Sequence, residues 1–165
     1  MARKLKIDAI GVESFQPEHT SFDLVLRIKN RAQPPGILPQ LIVSDDISKI
    51  NTDTDIVTIS DLAKIDHSQL KKKMKPKIGF EIFIANARGL SGKELGKWMS
   101  EAKYLYRLSR STGCQFILSS GAQSIFEMLS ARTFESILTV LGIAPLAYWK
   151  NLSDWLALKD TMRSL

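Results

Sequence analysis

From Gly79 onward the hydrophobic pattern changes period with almost no spare chain between elements. Gly79-Phe80-Glu81-Ile82-Phe83 reads as a strand, and Leu95, Trp98, Met99, Ala102, Leu105 and Tyr106 then form one stripe at helical spacing. Gly113 can supply a left-handed stop, and the strand Gln115-Phe116-Ile117-Leu118-Ser119 begins within two residues. Phe134, Ile137, Leu138 and Leu141 make the next helical stripe, stopped at Gly142. Pro145 suits the first turn of a helix holding Leu146, Trp149 and Leu152, and Trp155, Leu156 and Leu158 extend an apolar segment expected to dock. Strands alternating with helices on such short connections favour an α/β fold with a parallel, curved sheet.

Upstream, Leu5–Ile10 and Phe22–Ile28 read as strands, and Gln33-Pro34-Pro35-Gly36 forbids regular helix after them. Leu41–Ser44 and Asp55–Ser60 are short apolar runs that suit buried parallel strands. Asp46–Asn51 leaves room for one helical turn. Asp66 can cap a short helix to about Lys73, ended by Pro76, and Ser91-Gly92-Lys93-Glu94 is a capping box. With no internal repeat, low-complexity tract or linker, residues 1–165 are expected to form a single domain.

A chain of 165 residues can bury roughly two-thirds of its unfolded surface. The single cysteine, Cys114, excludes an intrachain disulfide and a cysteine-rich metal site, and fits a reducing compartment. No signal-like or membrane-spanning apolar run occurs, so a cytoplasmic protein without membrane contact is expected. Net charge is +6 and unevenly placed. Six aspartates lie between Leu41 and Asp66, whereas eleven Lys/Arg face three glutamates between His67 and Thr112. Such a field can orient a polyanion, and it can equally serve solubility.

The densest charge is Lys71-Lys72-Lys73-Met74-Lys75-Pro76-Lys77, five lysines in seven residues. It reads either as a solvated helix end, where cations complement the dipole, or as a phosphate-contact cluster. Lysine acts there as a point charge, whereas Arg88 or Arg107 can clamp a phosphate with forked donors. Aromatic residues are not interleaved, which favours structured RNA over single strands. Ser119-Ser120-Gly121 after a strand offers hydroxyls and backbone N–H groups to an anion, or simply makes a capped turn. His19 and His67 are the only histidines and are expected at the surface or at a cap, so no metal site is expected. No nucleophile elbow or phosphate loop occurs, so no catalytic residue is assigned. Cys114 and Trp98, Trp149 and Trp155 read as packing residues.

The order of these elements resembles protein component 3 of archaeal and eukaryotic RNase P, most firmly from Asp55 to Ser153. The resemblance rests on Asp55–Ser60, Gly79-Phe80-Glu81, Ser119-Ser120-Gly121-Ala122, and Leu141-Gly142-Ile143 with Ser153 eleven residues past the glycine. The family's Arg-x-Pro-Arg-Asp-like segment reads Leu129-Ser130-Ala131-Arg132-Thr133 here, so only Arg132 matches, and Leu156 replaces a common proline. The resemblance implies a TIM-barrel-like fold of the polymerase-and-histidinol-phosphatase (PHP) type, shortened or open at its N-terminal end. It implies a non-catalytic subunit of the endonuclease that removes the 5′ leader from precursor tRNA. The partners implied are RNase P RNA and protein component 2. The protein itself is expected to bind no cofactor, with Mg²⁺ on the catalytic RNA. Lys71, Lys72, Lys73, Lys75 and Arg88 are the expected RNA contacts, with Ser119, Ser120 and Arg132 beside them. The alternatives are a residual PHP-type metal-dependent phosphoesterase and a protein–protein adaptor that does not bind RNA.

Overall fold

The computed structural model describes Ile7–Asp8, Leu24–Val25, residues 41–122 and residues 125–163. The break at Gln33–Gly36, His19, and the rest of the two N-terminal strand stretches lie outside the described residues. Within those stretches β1 (Ile7–Asp8) and β2 (Leu24–Val25) pair in parallel.

A second sheet holds β3 (Val43–Ser44), β4 (Ile56–Ile59), β5 (Gly79–Phe83) and β6 (Gln115–Ser119). All its pairs are parallel and the spatial order is β3-β4-β5-β6. Each strand thus lies beside its successor in sequence, and right-handed crossovers of this kind keep their helices on one face. The chain is therefore α/β with a parallel sheet. Closure into a barrel is not observed among the described residues: β3 and β6 are edges, and a barrel of this type needs about eight strands.

Short-range signals set the helix limits. In α1 (His67–Lys73) the Asp66 carboxylate accepts the N–H groups of Ser68 and Gln69. In α2 (Gly92–Thr112) the Glu94 carboxylate accepts both the N–H and the hydroxyl of Ser91, and Gly113 ends the helix at φ 72°. Those two bonds from Ser91 hold the Glu94 carboxyl below its usual pKa. The single turn expected between Asp46 and Asn51 is a 3-10 turn over Ile47–Lys49. Helix α3 (Ala131–Val140) starts at a Ser130 cap, earlier than its apolar stripe indicates. Helix α4 (Pro145–Arg163) runs unbroken through the segment expected only to dock.

Register sorts the strand side chains onto two faces. Val57, Phe80 and Phe116 align on one, where Tyr106 of α2 meets Phe116 edge-on at 5.6 Å. Thr58, Glu81 and Ile117 align on the other. Helix α4 serves both. Its Tyr148 hydroxyl accepts the Leu118 N–H at 2.9 Å, meeting a polar group of edge strand β6. About two turns further on, Trp155 lies against Gly79 and Ile117 and donates its indole N–H to the Lys77 carbonyl at 2.8 Å. A Cβ on Gly79 would fall 2.6 Å from Ile117 Cδ1 and 3.2 Å from the Trp155 ring, so this approach requires glycine.

Candidate nucleic-acid interface

In a parallel sheet, residues that precede a strand and residues that follow it lie at opposite ends. Lys71, Lys72, Lys73 and Lys75 precede β5, whereas Arg88 follows it and Ser119 and Ser120 close β6. A five-residue strand separates the two groups by about 17 Å. The expected contacts thus form two sets.

The lysine set sits on an anchored turn. Leu70 and Met74 are buried beneath it. The Lys77 N–H donates to the Gly113 carbonyl at 3.1 Å, and the Cys114 thiol donates to the Lys75 carbonyl at 3.0 Å. Burial also pushes the Cys114 thiol above its usual pKa, in keeping with its reading as a packing residue. Lys77 itself adopts φ 77°, uncommon for a side chain with a Cβ. Lys71, Lys72 and Lys75 are exposed, and Lys73 is partly exposed with its ammonium 3.4 Å from the Ser48 carbonyl. Among the described residues no carboxylate lies within 4.0 Å of these four ammonium groups.

The other set is knitted into the loops at the carboxyl end of the strands. Arg88 donates from Nη2 to the Glu127 carbonyl at 2.8 Å, which ties the loop after β5 to the segment after β6. Asn86 donates to the Ser60 carbonyl at 2.6 Å, and the Ala85 N–H to the Ser120 carbonyl at 3.0 Å. Ser119 and Ser120 are 1% and 0% exposed. The Ser119 hydroxyl donates to Glu81 Oε1 at 2.6 Å, and the Ser120 hydroxyl accepts the Ala122 N–H at 3.1 Å. Neither hydroxyl is exposed at the surface; Ser119 links β6 to β5, and Ser120 holds the turn. Arg132 is exposed in the first turn of α3.

Glu81, read from the sequence only as part of a strand, is fully buried and also accepts the Thr58 hydroxyl at 2.9 Å. Its signal was a carboxylate placed at the centre of an apolar run. His67 places Nε2 3.2 Å from Glu101 Oε2 and meets Tyr104 edge-on at 4.6 Å, which joins α1 to α2. Among the described residues no three His, Cys, Asp or Glu side chains converge as a metal site, and no helix is long and apolar enough to cross a membrane. Chemically, the arrangement offers exposed fixed cations over a stiff α/β support.

No family model matches the chain, and no curated protein matches it.

Proposed function

We propose that this chain is a non-catalytic protein subunit of an RNase P, of the component 3 kind, that supports RNA-catalysed removal of the 5′ leader from precursor tRNA. The observation that carries this reading is the turn at Lys71–Lys75, where exposed ammonium groups are held together without a carboxylate among the described residues to neutralise them. Placed against folded RNA, that charge offsets phosphate repulsion. The sequential parallel strands and the tight exit at Ser119-Ser120-Gly121-Ala122 support the family resemblance. In this reading the open sheet is part of a PHP-like barrel. RNase P RNA, protein component 2 and precursor tRNA are the partners, and Mg²⁺ belongs to the RNA.

The test is reconstituted tRNA 5′ processing at limiting Mg²⁺, with and without this chain. Cleavage at a lower Mg²⁺ concentration when the chain is added is the expected result. An unchanged Mg²⁺ requirement overturns the proposal.

A second reading, a protein-binding adaptor without RNA contact, draws on one observation. Between α2 and α3 lies a groove of about 290 Å³ lined by Ile84, Leu95, Trp98, Met99, Ile137 and Val140. Binding of component 2 by a chain that ignores RNA at low salt would favour this reading.

A further inference from the structure

We infer that the solvent face of α2 is a docking surface for the phosphate backbone of double-helical RNA, contacted by Lys93, Lys97, Lys103 and Arg107. The inference rests on the RNA-binding reading above and extends its contact surface to a helix face.

At 3.6 residues per turn these four side chains fall within an arc of about 120°. That arc lies opposite Trp98, Ala102, Leu105 and Ser109, the residues α2 buries. Lys93, Lys97 and Arg107 are exposed and Lys103 is partly exposed. Lys93/Lys97 and Lys103/Arg107 are spaced i,i+4, the spacing at which like charges oppose helix formation.

Three other surface lysines do find local carboxylates. Lys49 lies 3.5 Å from Asp46, Lys64 3.0 Å from Asp61, and Lys150 2.6 Å from Asp154. Helix α2 has carboxylates too, but Glu94 turns to Ser91 and Glu101 to His67. Among the described residues none lies within 4.0 Å of the four cations. The repulsion is therefore left for a polyanion to relieve.

The shape fits the same partner. Lys93 to Arg107 spans about 21 Å of helix, long enough to lie along several successive phosphates. Gly96 and Ser100, between the cations, are small enough to let a backbone approach, and a Cβ on Gly96 would meet nothing within 4 Å; Tyr104, on the same arc, is held edge-on against His67. Helix α1 runs alongside, with His67 beside Glu101 and Tyr104 and Met74 beside Thr112. The turn bearing Lys71, Lys72 and Lys75 thereby adjoins the C-terminal part of α2 and extends its cationic field.

The probe is a twenty-base-pair duplex RNA of arbitrary sequence, titrated over a salt series with the full chain. Changing Lys93, Lys97, Lys103 and Arg107 together to Gln is expected to weaken binding more than tenfold. It should also make the log–log salt slope shallower by about 3, at somewhat under one unit per phosphate contact. The double change Lys93→Gln/Lys97→Gln, which alters two exposed residues, is expected to give about half that slope change and serves if the fourfold variant misfolds. The control matched in charge to that double change is Lys49→Gln/Lys64→Gln, whose lysines already have carboxylate partners, and it should leave the slope in place. An unchanged slope in the α2 variants, an equal change in the control, or no binding by the unaltered chain overturns the inference. Stimulation of tRNA processing by the unaltered chain is scored separately, so the RNase P reading can survive the loss of this surface.

Discussion

The Lys159 ammonium lies 3.0 Å from the Asp55 carboxylate, and both side chains are 7% exposed. Asp55 also accepts the Ile42 N–H at 2.7 Å, and Lys159 lies 5.4 Å from the centre of the Trp155 ring. One ion pair thus fastens α4 to the amino end of β4, and through Ile42 to the segment leading into β3. A buried pair of this kind gains little over an apolar pair, but removing one member strands the other charge away from water. Lys159→Ala is expected to cost about 3–5 kcal/mol in urea unfolding. Lys159→Met combined with Asp55→Asn should cost less than the sum of the single changes. Strict additivity would show that the two groups do not interact.

Ser119→Ala separates structural from binding roles at the carboxyl end of β6. The variant removes one of the two hydroxyls donating to buried Glu81, with an expected loss of about 1–3 kcal/mol. Its affinity for duplex RNA should equal that of the parent, because the hydroxyl is enclosed. Reduced RNA affinity in a variant of unchanged stability would place Ser119 at the RNA surface after all.

The different fates of Ser119 and Ser91 mark what could be read from the chain alone. Ser91, Glu94 and Gly113 announced both ends of α2, because caps and stops act within a few residues. Whether Ser119 faces solvent or a neighbour depends on the register of β6 against β5, which pairs Phe83 with Ser119 and brings Glu81 within reach. That register is long-range, so the serine looked available for an anion. The separation of Lys71–Lys75 from Arg88 was implicit in a parallel sheet, since one set precedes β5 and the other follows it. The stripe on α2 was legible only in part: Arg107 stood out as a forked donor for a phosphate, while Lys93 sat inside the capping box. Continuation of α4 past Leu152 was less legible, because that helix contacts both sheet faces and the edge of β6 and so shows no single apolar stripe. Barrel closure depends on strand number and pairing, which local period does not encode.

Gly121 carries a sharper demand than the other glycine stop after β6. Both Gly121 (φ 69°) and Gly142 (φ 73°) are left-handed, so alanine at either costs about 1–2 kcal/mol from backbone conformation. At Gly142 the added Cβ meets nothing within 4 Å, whereas at Gly121 it would sit 2.9 Å from Phe83 Cβ and 3.0 Å from Ala85 Cβ. Overpacking of that kind adds about 1–3 kcal/mol. Thermal or urea unfolding should therefore rank Gly121→Ala well below Gly142→Ala. Equal stabilities would mean that the loop after β5 yields freely.

The lysine turn before β5 should behave as a set of point charges. Lys71, Lys72 and Lys75 are exposed, and no carboxylate among the described residues offsets them. Changing all three to Gln should alter the unfolding free energy by no more than about 0.5 kcal/mol per substitution, since Leu70 and Met74 still anchor the turn. If each ammonium displaces counterions from a phosphate, the salt dependence of RNA binding should flatten by somewhat under one unit per lysine, about 2–3 in total. Affinity should then fall most at low salt and converge with the parent at high salt. A uniform loss at every salt concentration would instead indicate a lost packing contact or a changed fold. Sequence-dependent loss would imply base reading, for which lysines on a surface turn provide no geometry. Parallel binding curves over the salt series, for the parent and the triple variant on one duplex, distinguish these outcomes.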